Sequence, residues 1–110
     1  MQKMQPLQPL IWKNELFFAS RDHCEDIGPL GFYGHSSSIG LTMFDRIRMY
    51  MDHNVPGMLA ENVCYGTLNP LEAIILMLID DGDPKERKMR ENLLDPIHRY
   101  VGFATNRHKF

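Results

Sequence analysis

Between residues 14 and 29, "NELFFASRDHCEDIGP" places Leu16, Ser20, His23 and Ile27 on one face of a helix, with Phe17 and Cys24 beside them. Asn14 is suited to cap this helix and Gly28-Pro29 to stop it. A second helix is expected where Met43, Phe44, Ile47, Tyr50 and Met51 recur at helical spacing. Thr42 and Asp45 form a variant capping box at its start, and "DHNVPG" closes it. "AENVCYG", residues 60–66, alternates instead: Val63 and Tyr65 fall on one side, Asn62 and Cys64 on the other, as in a half-exposed strand.

The next segment, "NPLEAIILMLIDDG", opens with an Asn69 cap, Pro70 as first helical residue and Glu72 three positions after the cap. Its body is almost wholly apolar, so the helix is expected to be buried on most sides. "DPKERKMRENLLDP" repeats that opening with Asp83 and Pro84, turns Met89, Leu93 and Leu94 inward and keeps a charged outer face. In "HRYVGFAT", Tyr100, Gly102 and Ala104 alternate with Val101 and Phe103, and the glycine marks a close backbone approach within a strand. Two strands are marginal in water, so further strands are sought in "IWKN" or towards the ends. The pattern predicts a mixed α and β fold in which helices cover a sheet.

Composition narrows the partners. The 110 residues suit one domain, and a net charge of −2 with acids and bases interleaved offers no field for a phosphate backbone. Nucleic acid is therefore not an expected partner. The longest apolar run, residues 73–79, is far shorter than the roughly 18–20 residues that cross a bilayer, so no transmembrane segment is expected. Cys24 and Cys64 make no disulfide framework and read as free thiols.

One stretch stands apart from these elements. "GFYGHSSSIG", residues 31–40, sets His35 among glycines and serines that favour turns, which makes it an accessible loop histidine.

Taken in order, "GHSSSIG", "AENVCYG", "LIDDGDPKERKMRENLLDP" and "RYVGFAT" resemble the CAP superfamily of cysteine-rich secretory proteins, venom antigens and pathogenesis-related proteins. The likeness is to its microbial branch, in which a His-Ser/Thr loop, a Gly-Glu-Asn-Ile/Val strand, a Gly-His-Arg-x-Asn-Leu segment and a Val-Gly-Val/Ile strand follow one another. "PLIWKNELFFASRDHCEDIG" also looks like the family's lead-in and the helix after it, which carries the similarity back to about residue 9. The resemblance implies a three-layer α-β-α sandwich, usually in an extracellular, secreted protein, with a central cleft of two histidines and two acids. His35 matches the first histidine and Glu61 the first glutamate. Asp80 is the expected second acid, with Asp81 in reserve. Met89 stands where the second histidine belongs and Lys88 where the glycine belongs, while Arg90 and Asn92 match. The family's first helix has no counterpart here and its last strand should run past Phe110, so a domain incomplete at both ends is expected. The amino-terminal "MQKMQPLQPL" lacks the apolar h-region of a signal peptide, as expected either of a cytosolic protein or of a fragment whose leader lies outside it.

These residues allow more than one chemistry. His35, Glu61 and Asp80 offer an imidazole and two carboxylates to zinc, but Met89 replaces a nitrogen ligand with a thioether, so any divalent metal should bind weakly. A degenerate metal-dependent hydrolase would use the same groups, with His35 as base, yet it lacks a convincing nucleophile. The plainer reading makes His35 and Glu61 a hydrogen-bonded pair that holds the serine loop. His23 reads as a satisfied core histidine and Cys64 as a small buried hydrophobe. The expected function is a non-enzymatic binding module whose cleft of His35, Glu61, Asp80 and Met89 takes a lipid, a sterol or another small ligand. A purely structural or protein-interaction domain is the remaining alternative.

Overall fold

The computed structural model describes residues 8–51, 59–66, 69–79 and 88–109. In chain order the elements are β1 (Ile11–Trp12), α1 (Asn14–Leu30), α2 (Met43–Arg48), α3 (Pro70–Ile79), α4 (Lys88–Leu94) and β2 (Tyr100–Val101). The fold is thus mixed, with helices and a small sheet in which β1 and β2 pair in parallel, Ile11 beside Tyr100 and Trp12 beside Val101. The "IWKN" stretch does supply a strand. The segment around Glu61 does not: residues 59–65 carry no ladder, and "HRYVGFAT" contributes only two strand residues.

Local chemistry explains the helix ends. Asn14 is the first residue of α1 rather than its cap, because its Oδ1 accepts the Trp12 indole N–H at 3.0 Å; Lys13 takes the cap position without a side-chain bond. At the other end Pro29 lies within the last turn, and the helix continues past it to Leu30. The stop is Gly31 at φ +69°: its N–H reaches the Gly28 carbonyl and the Phe32 N–H reaches that of Ile27, both at 3.1 Å, the double bond of a Schellman motif. α2 begins with the expected capping box, Thr42 Oγ1 accepting from the Asp45 N–H at 3.2 Å and Asp45 Oδ2 from the Thr42 N–H at 2.9 Å. Asn69 caps α3 by accepting the Glu72 N–H at 2.9 Å. The Asp83-Pro84 start expected for the next helix lies outside the described residues.

α1 packs on α2 and α3 packs on α4, and the apolar core is thin: among the described residues Ala19, Ile27 and Ile47 are the buried hydrophobes. α3 is not covered on most sides, since none of its residues is buried. Its apolar content called for cover that its helical neighbour supplies on one side only.

The chain after β2 is laid along α1. Ser20 Oγ donates to the Gly102 carbonyl and Cys24 Sγ to that of Ala104, each at 3.4 Å, and the Lys109 N–H reaches the Gly28 carbonyl at 2.8 Å. Extended chain rises about 3.3 Å per residue and a helix about 1.5 Å, so the step from Gly102 to Ala104 matches the helical turn from Ser20 to Cys24. Two glycines allow the approach. A Cβ on Gly102 would lie 2.3 Å from the Phe17 nitrogen, and one on Gly28 would lie 2.3 Å from the Arg107 carbonyl oxygen. Because the atoms met are backbone, Gly102→Ala should destabilise the fold by about 2 kcal/mol in chemical denaturation. An unchanged midpoint would mean that the segment does not lie on α1 in solution.

Candidate functional site

The loop between α1 and α2 is held from several directions. His23, on α1 and 3% exposed, places Nε2 2.8 Å from the Gly34 carbonyl, which requires the proton on that nitrogen. The Gly34 N–H donates to the Tyr65 hydroxyl at 2.6 Å. Asp26 accepts both the hydroxyl and the N–H of Ser38, the latter at 2.7 Å, and these bonds hold its carboxyl below the usual carboxylate range. The Ser37 hydroxyl takes the Leu41 N–H at 2.9 Å. His35 is therefore carried on an ordered loop, with its side chain 60% exposed.

Its partner is Glu61. His35 Nδ1 lies 2.9 Å from Glu61 Oε1. Behind this pair stands Arg46 of α2, only 3% exposed, which donates from Nη1 to Glu61 Oε2 at 2.7 Å and from Nη2 to Oε1 at 2.9 Å and to the His35 carbonyl at 2.7 Å. A fork of this kind is the strong geometry for arginine and carboxylate. Burial works against the Glu61 charge, but the hydrogen bonds from Arg46 and then His35 outweigh it, and the carboxyl is held below its ordinary value. With Glu61 ionised, the proton of the His35 contact belongs to Nδ1.

Arg46 was not singled out by the sequence, although a signal was present. Met43, Ile47 and Tyr50 define the inward side of α2, and Arg46 lies three residues after the first and four before the last. A cation on an apolar stripe needs an acid brought to it, and the half-buried Glu61 is that acid.

The other expected cleft residues are distributed differently. Met89 meets the neighbouring positions of the segment that carries Glu61. Its carbonyl accepts from Asn62 Nδ2 at 3.0 Å and its sulfur lies 4.0 Å from Cys64 Sγ, so it meets positions 62 and 64 while His35 and Arg46 meet position 61. Asn92 Nδ2 donates to Asn62 Oδ1 at 2.8 Å, which ties α4 to the same side. Asp80 lies outside the described residues, as does Asp81. The unpaired segment 59–65 thus keeps the two-residue alternation expected of it: Glu61 and Tyr65 engage the serine loop, Asn62 and Cys64 engage α4.

Two further groups acquire roles here. His108 hydrogen-bonds the Phe32 carbonyl at 2.7 Å, and its ring packs on Tyr33 and Tyr65 with centroids 4.7 and 5.0 Å away. Cys24 is half-buried, and burial, with the Glu61 charge adding, pushes its thiol up and away from reactivity.

A metal ion fits this arrangement poorly. Glu61 has both oxygens engaged by a guanidinium, which repels a second cation at the same carboxylate. No three of the described histidines, cysteines and acids cluster as a ligand set. No family model, curated protein or solved structure gave a significant match to the chain.

The ion pair makes two predictions. Arg46→Ala leaves Glu61 buried without its counter-ion and should cost about 3 kcal/mol of stability. Because the folded pKa of Glu61 is depressed, its contribution is complete above the unfolded value of about 4.3 and is lost as pH falls through the folded value. Glu61→Gln should therefore flatten the acid limb of stability against pH relative to the unaltered chain. Equal limbs in the two proteins would show that Arg46 does not hold Glu61 in solution.

Proposed function

We propose that the chain is a non-enzymatic binding module on a CAP-type three-layer frame, acting outside the cell and taking an apolar or amphipathic small ligand such as a sterol or another lipid. The observation that carries the non-enzymatic part is the Arg46 fork on Glu61. A carboxylate so held is a poor metal ligand and a poor general base, and its role becomes that of an anchor for the loop. His35 is oriented by that anchor, but no nucleophile stands in hydrogen-bond contact with it among the described residues.

The choice of ligand follows from what the ordered loop presents. Tyr33 is 60% exposed and joins Tyr65 and His108 in a ring cluster on the loop that carries His35, an aromatic platform that includes the His108 imidazole. Sites of this composition suit a largely apolar molecule with a single polar group. The CAP-type reading is supported by the order of the four segments and by the meeting of His35 with Glu61.

Titrating the purified chain with a fluorescent sterol should give saturable binding that Tyr33→Ala weakens several-fold. Calorimetry with zinc should show no site tighter than on the order of 1 µM. Ester or peptide hydrolysis that depends on added zinc and is lost in His35→Ala would replace this proposal with the hydrolase.

A further inference from the structure

Sulfur atoms from three parts of the chain gather on the side of residues 59–65 opposite Glu61. Cys64 Sγ lies 4.0 Å from Sδ of Met89, on α4, and Met77, on α3, brings its Sδ to 3.6 Å from the Asn62 amide nitrogen. The same nitrogen donates to the Met89 carbonyl at 3.0 Å, and Asn92 holds the other end of the amide through Asn62 Oδ1 at 2.8 Å. Asn62 thus ties the backbone of α4 to the segment that carries Cys64 and stands against the α3 sulfur. All three sulfur-bearing side chains are half-buried.

The donors select the ion. A thioether is a poor ligand for zinc and for oxygen-preferring metals, whereas copper(I) takes thiolate and thioether alike. Sulfur binds a metal of this size at about 2.3 Å, so two sulfurs about 120° apart on a three-coordinate ion stand about 4.0 Å from each other, and on a linear ion about 4.6 Å. The Cys64–Met89 separation is that of the three-coordinate ion. Binding breaks the S–H bond of Cys64; the sulfur electron pair goes to copper, which stays monovalent, and the proton goes to water. One thiolate and one monovalent cation leave no net charge, which suits a half-buried position, and Glu61, the acid of this segment, is already engaged by Arg46.

We propose that Cys64, Met89 and Met77 form a site for one soft monovalent ion, copper(I), with Cys64 as thiolate and Met77, an adaptable side chain of three rotatable bonds, turning its sulfur to the third position. The site lies across residues 59–65 from the His35 loop and does not rest on the ligand proposed there.

Titrating the reduced whole chain with copper(I) under nitrogen, in competition with bicinchoninate, should show one equivalent bound, and X-ray absorption should show a shell of three sulfurs at about 2.3 Å. Cys64→Ser should abolish the site. Met89→Leu, which conserves volume, should weaken it at least about tenfold, and Cys24→Ser should leave it unchanged. An affinity indifferent to Met89→Leu, a site lost in Cys24→Ser, or a shell containing nitrogen or oxygen would overturn the proposal. Where circular dichroism shows Met89→Leu misfolded, the absorption spectrum of the unaltered chain decides alone, three sulfurs supporting the site and any other shell refuting it.

Discussion

A guanidinium cannot give up its proton, so burying Arg46 at 3% exposure obliges the fold to bring acceptors to it. Three parts of the chain meet that demand together. α2 holds the arginine, the serine loop offers the His35 carbonyl, and the segment from 59 to 66 delivers Glu61. Buried ion pairs seldom add much net stability over an apolar alternative, but they penalise every arrangement that separates the partners. Here that penalty fixes where the loop sits and which way residues 59–65 face. Arg46 Nε and His23 Nδ1, both buried, have no partner among the described residues.

Once Glu61 points at Arg46, alternation sends Asn62 to the other side, where it accepts from Asn92 and donates to the Met89 carbonyl. The segment therefore works as a spine between the α1–α2 half and the α3–α4 half. Arg90 strengthens the second half by donating to the Leu78 and Ile79 carbonyls at the exposed end of α3, the latter at 2.7 Å. Arginine at a helix carboxyl end satisfies carbonyls that lack intrahelical partners and complements the dipole.

What the sequence made legible was local. The Thr42–Asp45 box, the Asn69-Pro70 start and the glycine of close approach at 102 depend on neighbours within a few residues or on the size of one side chain, and each is found. The pairing of His35 with Glu61 came through resemblance, not through spacing. Less legible were features set by distant partners. Asn14 is drawn from its capping role by Trp12, and, among the described residues, 59–65 keep a strand's alternation with no strand beside them and α3 keeps a core helix's composition with no core around it. In each case hydrophobic periodicity states what a segment requires, and only the assembled chain shows whether the requirement is met. Arg46 illustrates the converse: periodicity places it on the inward side of α2, but the acid fifteen residues away that meets it is reported by no local pattern.

The course of residues 102–109 along α1 also bears on how the chain comes together. Gly102 and Ala104 bond to Ser20 and Cys24 across sequence separations of 82 and 80, and β1 joins β2 across a comparable interval. Contacts this remote raise the loop-closure entropy that must be overcome before any of them is rewarded. During synthesis α1 emerges some eighty residues before the segment that seats along it. Over that interval the first helix waits with one flank bare, until the segment that closes it has been made.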